Sequence, residues 1–241
     1  MASNCDVGGR RAAVVRLDVI RRLVLPLLFG LVGTAVLVAL GTWQLQRMAW
    51  KGDIIARIEA RLAADPVAVP PDANPDEHQY LRVREDGVVL PGELHVYTSV
   101  PPHGVGYRVV APFEIGESRV VLLDRGFVPI ADKDAERPIG PLAVEGALHW
   151  PQETDRFTAD PDREANIWFA RDAVRMAEAL DTEPVMLVIE RSSAPAAALA
   201  QPVTVNIPNN HLEYVLTWYG LAVVWAGMTV YWLWRITRRP D

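Results

Sequence analysis

The sequence predicts a membrane protein of the α+β class, with two transmembrane helices flanking an external, antiparallel β-rich domain of barrel or sandwich type. Three observations carry this. Residues 23–40 (LVLPLLFGLVGTAVLVAL) and 214–234 (YVLTWYGLAVVWAGMTVYWLW) hold no charged side chain. The ends are basic and the middle acidic: eight basic against three acidic residues in 1–22 and 235–241, net +5, and 16 against 27 between the spans, net −11. Between the apolar runs, short β-favouring stretches alternate with turn signals.

The second run reaches roughly 31 Å as a helix, against a hydrocarbon core of about 30 Å. The first reaches roughly 27 Å and gains length from Gly41 and Thr42, which sets the expected spans at 23–42 and 214–234. Short flanks rich in Lys and Arg stay cytoplasmic, so 1–22 and 235–241 are expected inside and 43–213 outside. A cleaved signal peptide fits less well. The first run exceeds an h-region of about 7–15 residues, and Leu40-Gly41-Thr42-Trp43 is a poor small-x-small cleavage site. Pro26 falls in the first turn of the run, where proline is tolerated. Trp43, Trp50, Trp218, Tyr219, Tyr231, Trp232 and Trp234 sit at the ends of the runs, as interfacial aromatics do.

Past the first span, Leu45, Met48, Ile54 or Ile55, Ile58 and Leu62 keep a three-to-four-residue spacing, which predicts a helix to about Ala63. A linker with Pro66, Pro70, Pro71 and Pro75 follows. Strands are expected at 80–90, 92–100, 105–115, 118–128, 142–150 and 185–191, with one helix over 171–180. Strands this close cannot be joined by helices, hence the antiparallel expectation.

The formal charge of −6 argues against a general nucleic-acid binder. One cysteine, Cys5, excludes an intramolecular disulfide and any thiolate pair for metal delivery. No GxSxG, HExxH, P-loop or strand-following GxGxxG is present, so no catalytic residue is assigned and an enzyme is not expected. His78, His95, His103 and His149 lack a metal-ligand spacing and read as surface histidines. His211 stands apart, one turn before the second span. One reading makes it a solvated residue at the start of a helix capped by Asn209 or Asn210. The other begins from position. With both ends inside, 41–51 and 208–218 meet the same membrane surface, and Arg47 and Lys51 share a helix face. An imidazole, two cations, and Trp43, Trp50 and Trp218 at one interface suit a flat apolar cofactor with two carboxylates, such as haem.

The blocks GTWQLQRMAWK (41–51), GYRVVAPF (106–113), LDRGFVP (123–129), NIWFARD (166–172) and PNNHLEYVLTWYGLA (208–222) resemble, in order, those of the Surfeit locus protein 1 family. The resemblance runs from about residue 24 to 234; where the family commonly has Asn before the Arg-Gly pair, this chain has Asp124. It implies a non-catalytic assembly factor of haem-copper cytochrome c oxidase, aiding haem a insertion or retention in subunit I. It also implies His211 as the contact to haem iron, with Arg47, Lys51 and Trp218 as further cofactor-binding candidates from the positional reading. Expected partners are oxidase subunit I, haem a synthesis or assembly proteins and the lipid bilayer. A cofactor-free chaperone of oxidase helices is the alternative, supported by Gly220, Ala222, Ala226 and Gly227 in the second span. A sensor is disfavoured by short tails without an output domain. Asp6 and Asp18 interrupt any acid-free presequence, which favours a bacterial inner membrane over a mitochondrial one.

Overall fold

The computed structural model describes residues 6–194, 198–205 and 210–238, with side chains from Leu23 onward. Cys5, Pro208, Asn209, Arg239 and Asp241 lie outside the described residues. The chain divides into two compact units, one comprising residues up to Ile55 with those from Ile207 on, the other running from Ala56 to Asn206.

The first unit is a helix pair. Helix α1 runs unbroken from Asp6 to Leu62 and the C-terminal helix from His211 to Thr237. Within them, Leu23–Leu62 and His211–Thr237 are long and apolar enough to cross a membrane. Most of their apolar side chains, Leu25, Phe29, Val223 and Met228 among them, are exposed, an arrangement rare on soluble monomers. The helix starts earlier than the apolar run, so Pro26 lies in its interior and not in its first turn. Proline there removes one backbone donor, a defect that apolar helices commonly absorb. The two helices are antiparallel, with close approaches at Gly30 to Thr229, Gly33 to Trp225 and Gly41 to Tyr219. A Cβ at Gly33 would come within 2.3 Å of Trp225 Nε1. The small residues that admit the partner helix are therefore on α1. Of those noted in the second run, Ala222 is buried, whereas Gly220 and Gly227 meet no described side chain within 4 Å.

The second unit is a β-barrel with a helix packed on one side. A single turn, α2 (Pro75–His78), is capped by Asn74 and precedes β1 (Arg82–Val89). Then come β2 (Leu94–Val100), β3 (Gly104–Ile115), β4 (Arg119–Pro129), β5 (Gly140–Leu148), the two-residue β6 (Ile167–Trp168), α3 (Ala173–Leu180) and β7 (Glu183–Ser192). The sheet order is β1-β5-β7-β4-β3-β2-β6, and a further β1–β3 pairing closes β1, β5, β7, β4 and β3 into a ring. The twelve-residue β3 makes this possible. It pairs with β2 over Gly104–Val110 and with β1 over Phe113–Ile115.

Most ladders are antiparallel, but β4–β7 and β2–β6 are parallel, which corrects the expectation of an antiparallel sheet. The segment between β5 and β7 is long enough to hold β6 and α3, and a crossover of that length returns a strand in parallel. Val83, Phe113, Val121, Leu123, Leu148 and Leu187 fill the barrel interior. Met176, Ala173 and Ala177 of α3 cover a second core with Leu122, Val110, Met186 and Trp168. The proline-rich segment lies along β1, with Val67 N donating to Arg82 O and Val67 O accepting from Arg84 N.

Candidate functional site

His211 is the first residue of the C-terminal helix, which from here is α4. Asn210 occupies the cap position without a capping side-chain hydrogen bond. The His211 imidazole is held from α1, with Nδ1 2.7 Å from Gln44 Oε1. An amide oxygen only accepts, so Nδ1 carries a proton, and in the neutral tautomer this implies the lone pair is on Nε2. That Nε2 is buried and has no hydrogen-bond partner among the described residues. Buried polar atoms are nearly always paired, so an orphaned imidazole lone pair marks a place for an electrophile or a donor. A donated Nδ1–H with Nε2 left open is also how proteins present histidine to a metal. Nearby on the same helix pair, Thr42 Oγ1 and Tyr219 OH lie 3.0 Å apart and tie α1 to α4.

Gln44, Arg47 and Lys51 recur at i, i+3 and i+7, one face of α1. The contact to Gln44 thus brings His211 to the face that carries both cations. Arg47 is exposed, and its guanidinium lies 4.2 Å over the Trp50 ring. Lys51 and Trp218 are half-buried. Gln44 was not among the residues that sequence reasoning singled out. The available signal was its helical spacing to Arg47 and Lys51, which places a neutral amide on the cationic face.

The β unit contains polar chemistry of another kind. Asp124 on β4 is 0 % exposed. Its Oδ2 accepts from Arg108 Nε at 2.9 Å and Arg171 Nη1 at 3.0 Å, and its Oδ1 accepts from Gly126 N at 3.1 Å. Arg171 also grips Glu153, with Nε and Nη2 at 3.0 and 2.5 Å from Oε1. Burial acts to raise the Glu153 carboxyl, but Arg171 outweighs it and the group is held below the usual carboxylate range. Beside them His149 accepts at Nδ1 from Gln79 Nε2, and burial, aided by Arg171, pushes its pKa down to about 4.

Two histidines expected at the surface are therefore not there. His95 is 4 % exposed on β2, with Nε2 donating to Glu93 Oε1 at 2.9 Å, and His149 is half-buried and neutral. Glu93 is also bound by Arg137, whose Nε lies 2.9 and 3.0 Å from the two carboxylate oxygens. Burial alone would raise the Glu93 pKa, but the hydrogen bonds from His95 and Arg137 bring it to about 2. His78 is likewise half-buried, and His103 is exposed. No cluster of three His, Cys, Asp or Glu suited to a metal ion occurs among the described residues.

Residues 31–223 match the model of the SURF1 family. The chain belongs to the SURF1 family. The chain is 30% identical over 227 residues to Surfeit locus protein 1 of Mus musculus, covering 83% of this chain and 72% of that protein. With Surfeit locus protein 1 of Homo sapiens it shares 33% over 211 residues, 76% of this chain and 69% of that protein. A SURF1-like protein of Monosiga brevicollis is 28% identical over 214 residues, covering 80% of this chain and 81% of that protein. The stretch matched to the SURF1 family spans both Gln44 and His211.

Proposed function

We propose that this SURF1-family chain is a non-catalytic, membrane-anchored assembly factor for haem-copper cytochrome c oxidase, aiding the insertion or retention of haem a in subunit I. The observation that carries the haem contact is the buried His211 Nε2, left without a partner while Nδ1 is held by Gln44. The residues fit the group: Gln44 holds Nδ1 and leaves Nε2 open to iron, and the same α1 face carries Arg47 and Lys51, cations suited to propionates. Trp218 adds an aromatic surface seven residues beyond His211 on α4. Haem a supplies the redox-active iron that the oxidase uses. The work of this chain is to hold it by His211, keep the ring oriented through Gln44, and pass it on to subunit I with the help of haem a synthesis or assembly proteins.

The apolar exposure of α1 and α4 supports two membrane spans. The basic ends support cytoplasmic termini with 43–213 outside, in a bacterial inner membrane or, as the alternative, a mitochondrial one. A reporter fused at the exposed Gly116 turn tests this, since activity there from a cytoplasm-only reporter would refute it. A second reading, a cofactor-free chaperone of oxidase helices, is favoured by the open faces of Gly220 and Gly227. Purification from a host that makes haem a separates the two. A Soret band that travels with the protein supports the haem reading; co-purified subunit I without any haem absorbance supports the chaperone.

A further inference from the structure

Arg125 is a buried cation that the haem reading leaves without a role. It is the extra residue of a bulge in β4, where the register with β3 passes from Val109↔Gly126 to Val110↔Asp124 and skips it. A bulge takes one side chain out of the strand's alternation and re-aims it, a device common beside ligand sites. Gly126 completes the bulge at φ +110°, with backbone packed so closely that a Cβ would lie 2.2 Å from Leu199 O. The result is an arginine only 8 % exposed.

Among the described residues its charge has no directly bonded carboxylate, and Nη2 donates to the carbonyl of Pro138 at 2.9 Å. The acidic group that acts on it, Glu93, is already held by His95 and Arg137, and Arg137 adds like charge. Buried charges in proteins are paired, and an isolated one is strongly unfavourable. Arg125 lines a recess of about 50 Å³ together with Val89, Ile139, Leu142, Ile189, Ala198 and one polar residue, Ser192. A water needs roughly 10–15 Å³ by this measure, so the space holds a group of a few heavy atoms. A guanidinium fork matches the two oxygens of a carboxylate, and mostly apolar walls suit a short hydrocarbon stem better than a hydrated phosphate.

We propose that the Arg125 recess is a binding site for a carboxylate carried on a short apolar stem. The site is independent of His211. The test is a thermal melt of the full chain in detergent, in equimolar sodium acetate or sodium chloride at neutral pH. Acetate raises the midpoint of the wild type by roughly 2–4 °C, the shift expected when it stands several-fold above its dissociation constant. The acetate shift is lost in Arg125→Met. It is also lost in Ile139→Glu, whose exposed position makes folding safe and whose own carboxylate occupies the guanidinium, so that this variant melts higher than wild type in chloride. N-acetylglycine replacing acetate distinguishes the source. An equal shift assigns the site to a carboxylate on a longer chain, and a shift with acetate alone assigns it to a small free acid. No acetate shift in the wild type, or the same shift in both variants, overturns the proposal.

Discussion

Asp124→Ala tests the claim that one buried carboxylate organises the outer face of the barrel. The side chain is fully buried, and two guanidiniums converge on its Oδ2, with side-chain exposures of 15 % for Arg108 and 12 % for Arg171. Removing one partner of a buried pair costs about 3–5 kcal/mol because the remaining charge is desolvated without compensation. Here the loss falls at the lower end. Arg171 keeps Glu153, and Arg108 keeps the carbonyl of Gln201 at 3.0 Å. About 3 kcal/mol corresponds to a fall in melting midpoint of roughly 6–12 °C for a domain of this size. The assay is a thermal melt of the detergent-solubilised chain followed by near-ultraviolet circular dichroism. Two comparisons sharpen it. Asp124→Asn keeps an acceptor for one guanidinium and costs about half as much. Glu153→Ala removes a carboxylate that is 40 % exposed and serves a single arginine, so it costs at most about 1 kcal/mol. If Glu153→Ala proves as damaging as Asp124→Ala, the argument that burial and shared contacts set the magnitude is refuted.

Gly126→Ala places a β-carbon on backbone at φ +110° and into Leu199 O, so a loss of about 3 kcal/mol or outright misfolding is expected in the same melt, and a near-neutral result would mean the bulge relaxes freely. Glu93 titrates at about 2 in the folded chain against an ordinary 4.5, so its stabilisation is complete above roughly pH 5 and is lost as pH falls toward about 2. The wild type should therefore melt above Glu93→Gln at neutral pH, with the gap closing on acidification; a gap that widens would contradict the assignment. Gln44→Leu removes the acceptor that holds His211 Nδ1–H, and haem affinity in a titration of the purified protein should fall about 10–100-fold, as for other second partners of ligating histidines.

The helices and most strands were readable because their signals are local. Two charge-free runs need no tertiary information, and α3 announces itself through Asp172, whose side chain accepts from Val174 N and Arg175 N at its start. β3 and β4 lie within a residue of their expected bounds because Gly104, Gly116 and the alternation around them mark the turns. What stayed hidden depends on partners distant in sequence. The parallel seat of β7 beside β4 follows from where α3 carries the chain, and no strand sequence encodes that by itself. His95 is polar by composition, and its contacts to Glu93, Arg137 and Asn166 make its burial tolerable. Arg125 lies between Asp124 and Gly126, and its burial goes with a bulge set by the pairing with β3. At the candidate haem site His211, Arg47 and Lys51 were visible from topology and charge. Gln44 was not, because its contact spans 167 residues and an amide just past an apolar run carries no chemical signature alone.

The most direct test of the account is the absorption spectrum of His211→Ala beside wild type, both purified from a host that makes haem a. His211 is half-buried at the first position of α4, so its truncation should leave insertion and the fold of the barrel intact. The account predicts a Soret band in the wild type and its loss, or a shifted band at much lower haem-to-protein ratio, in the variant. Equal haem content with an unchanged spectrum in His211→Ala would contradict it.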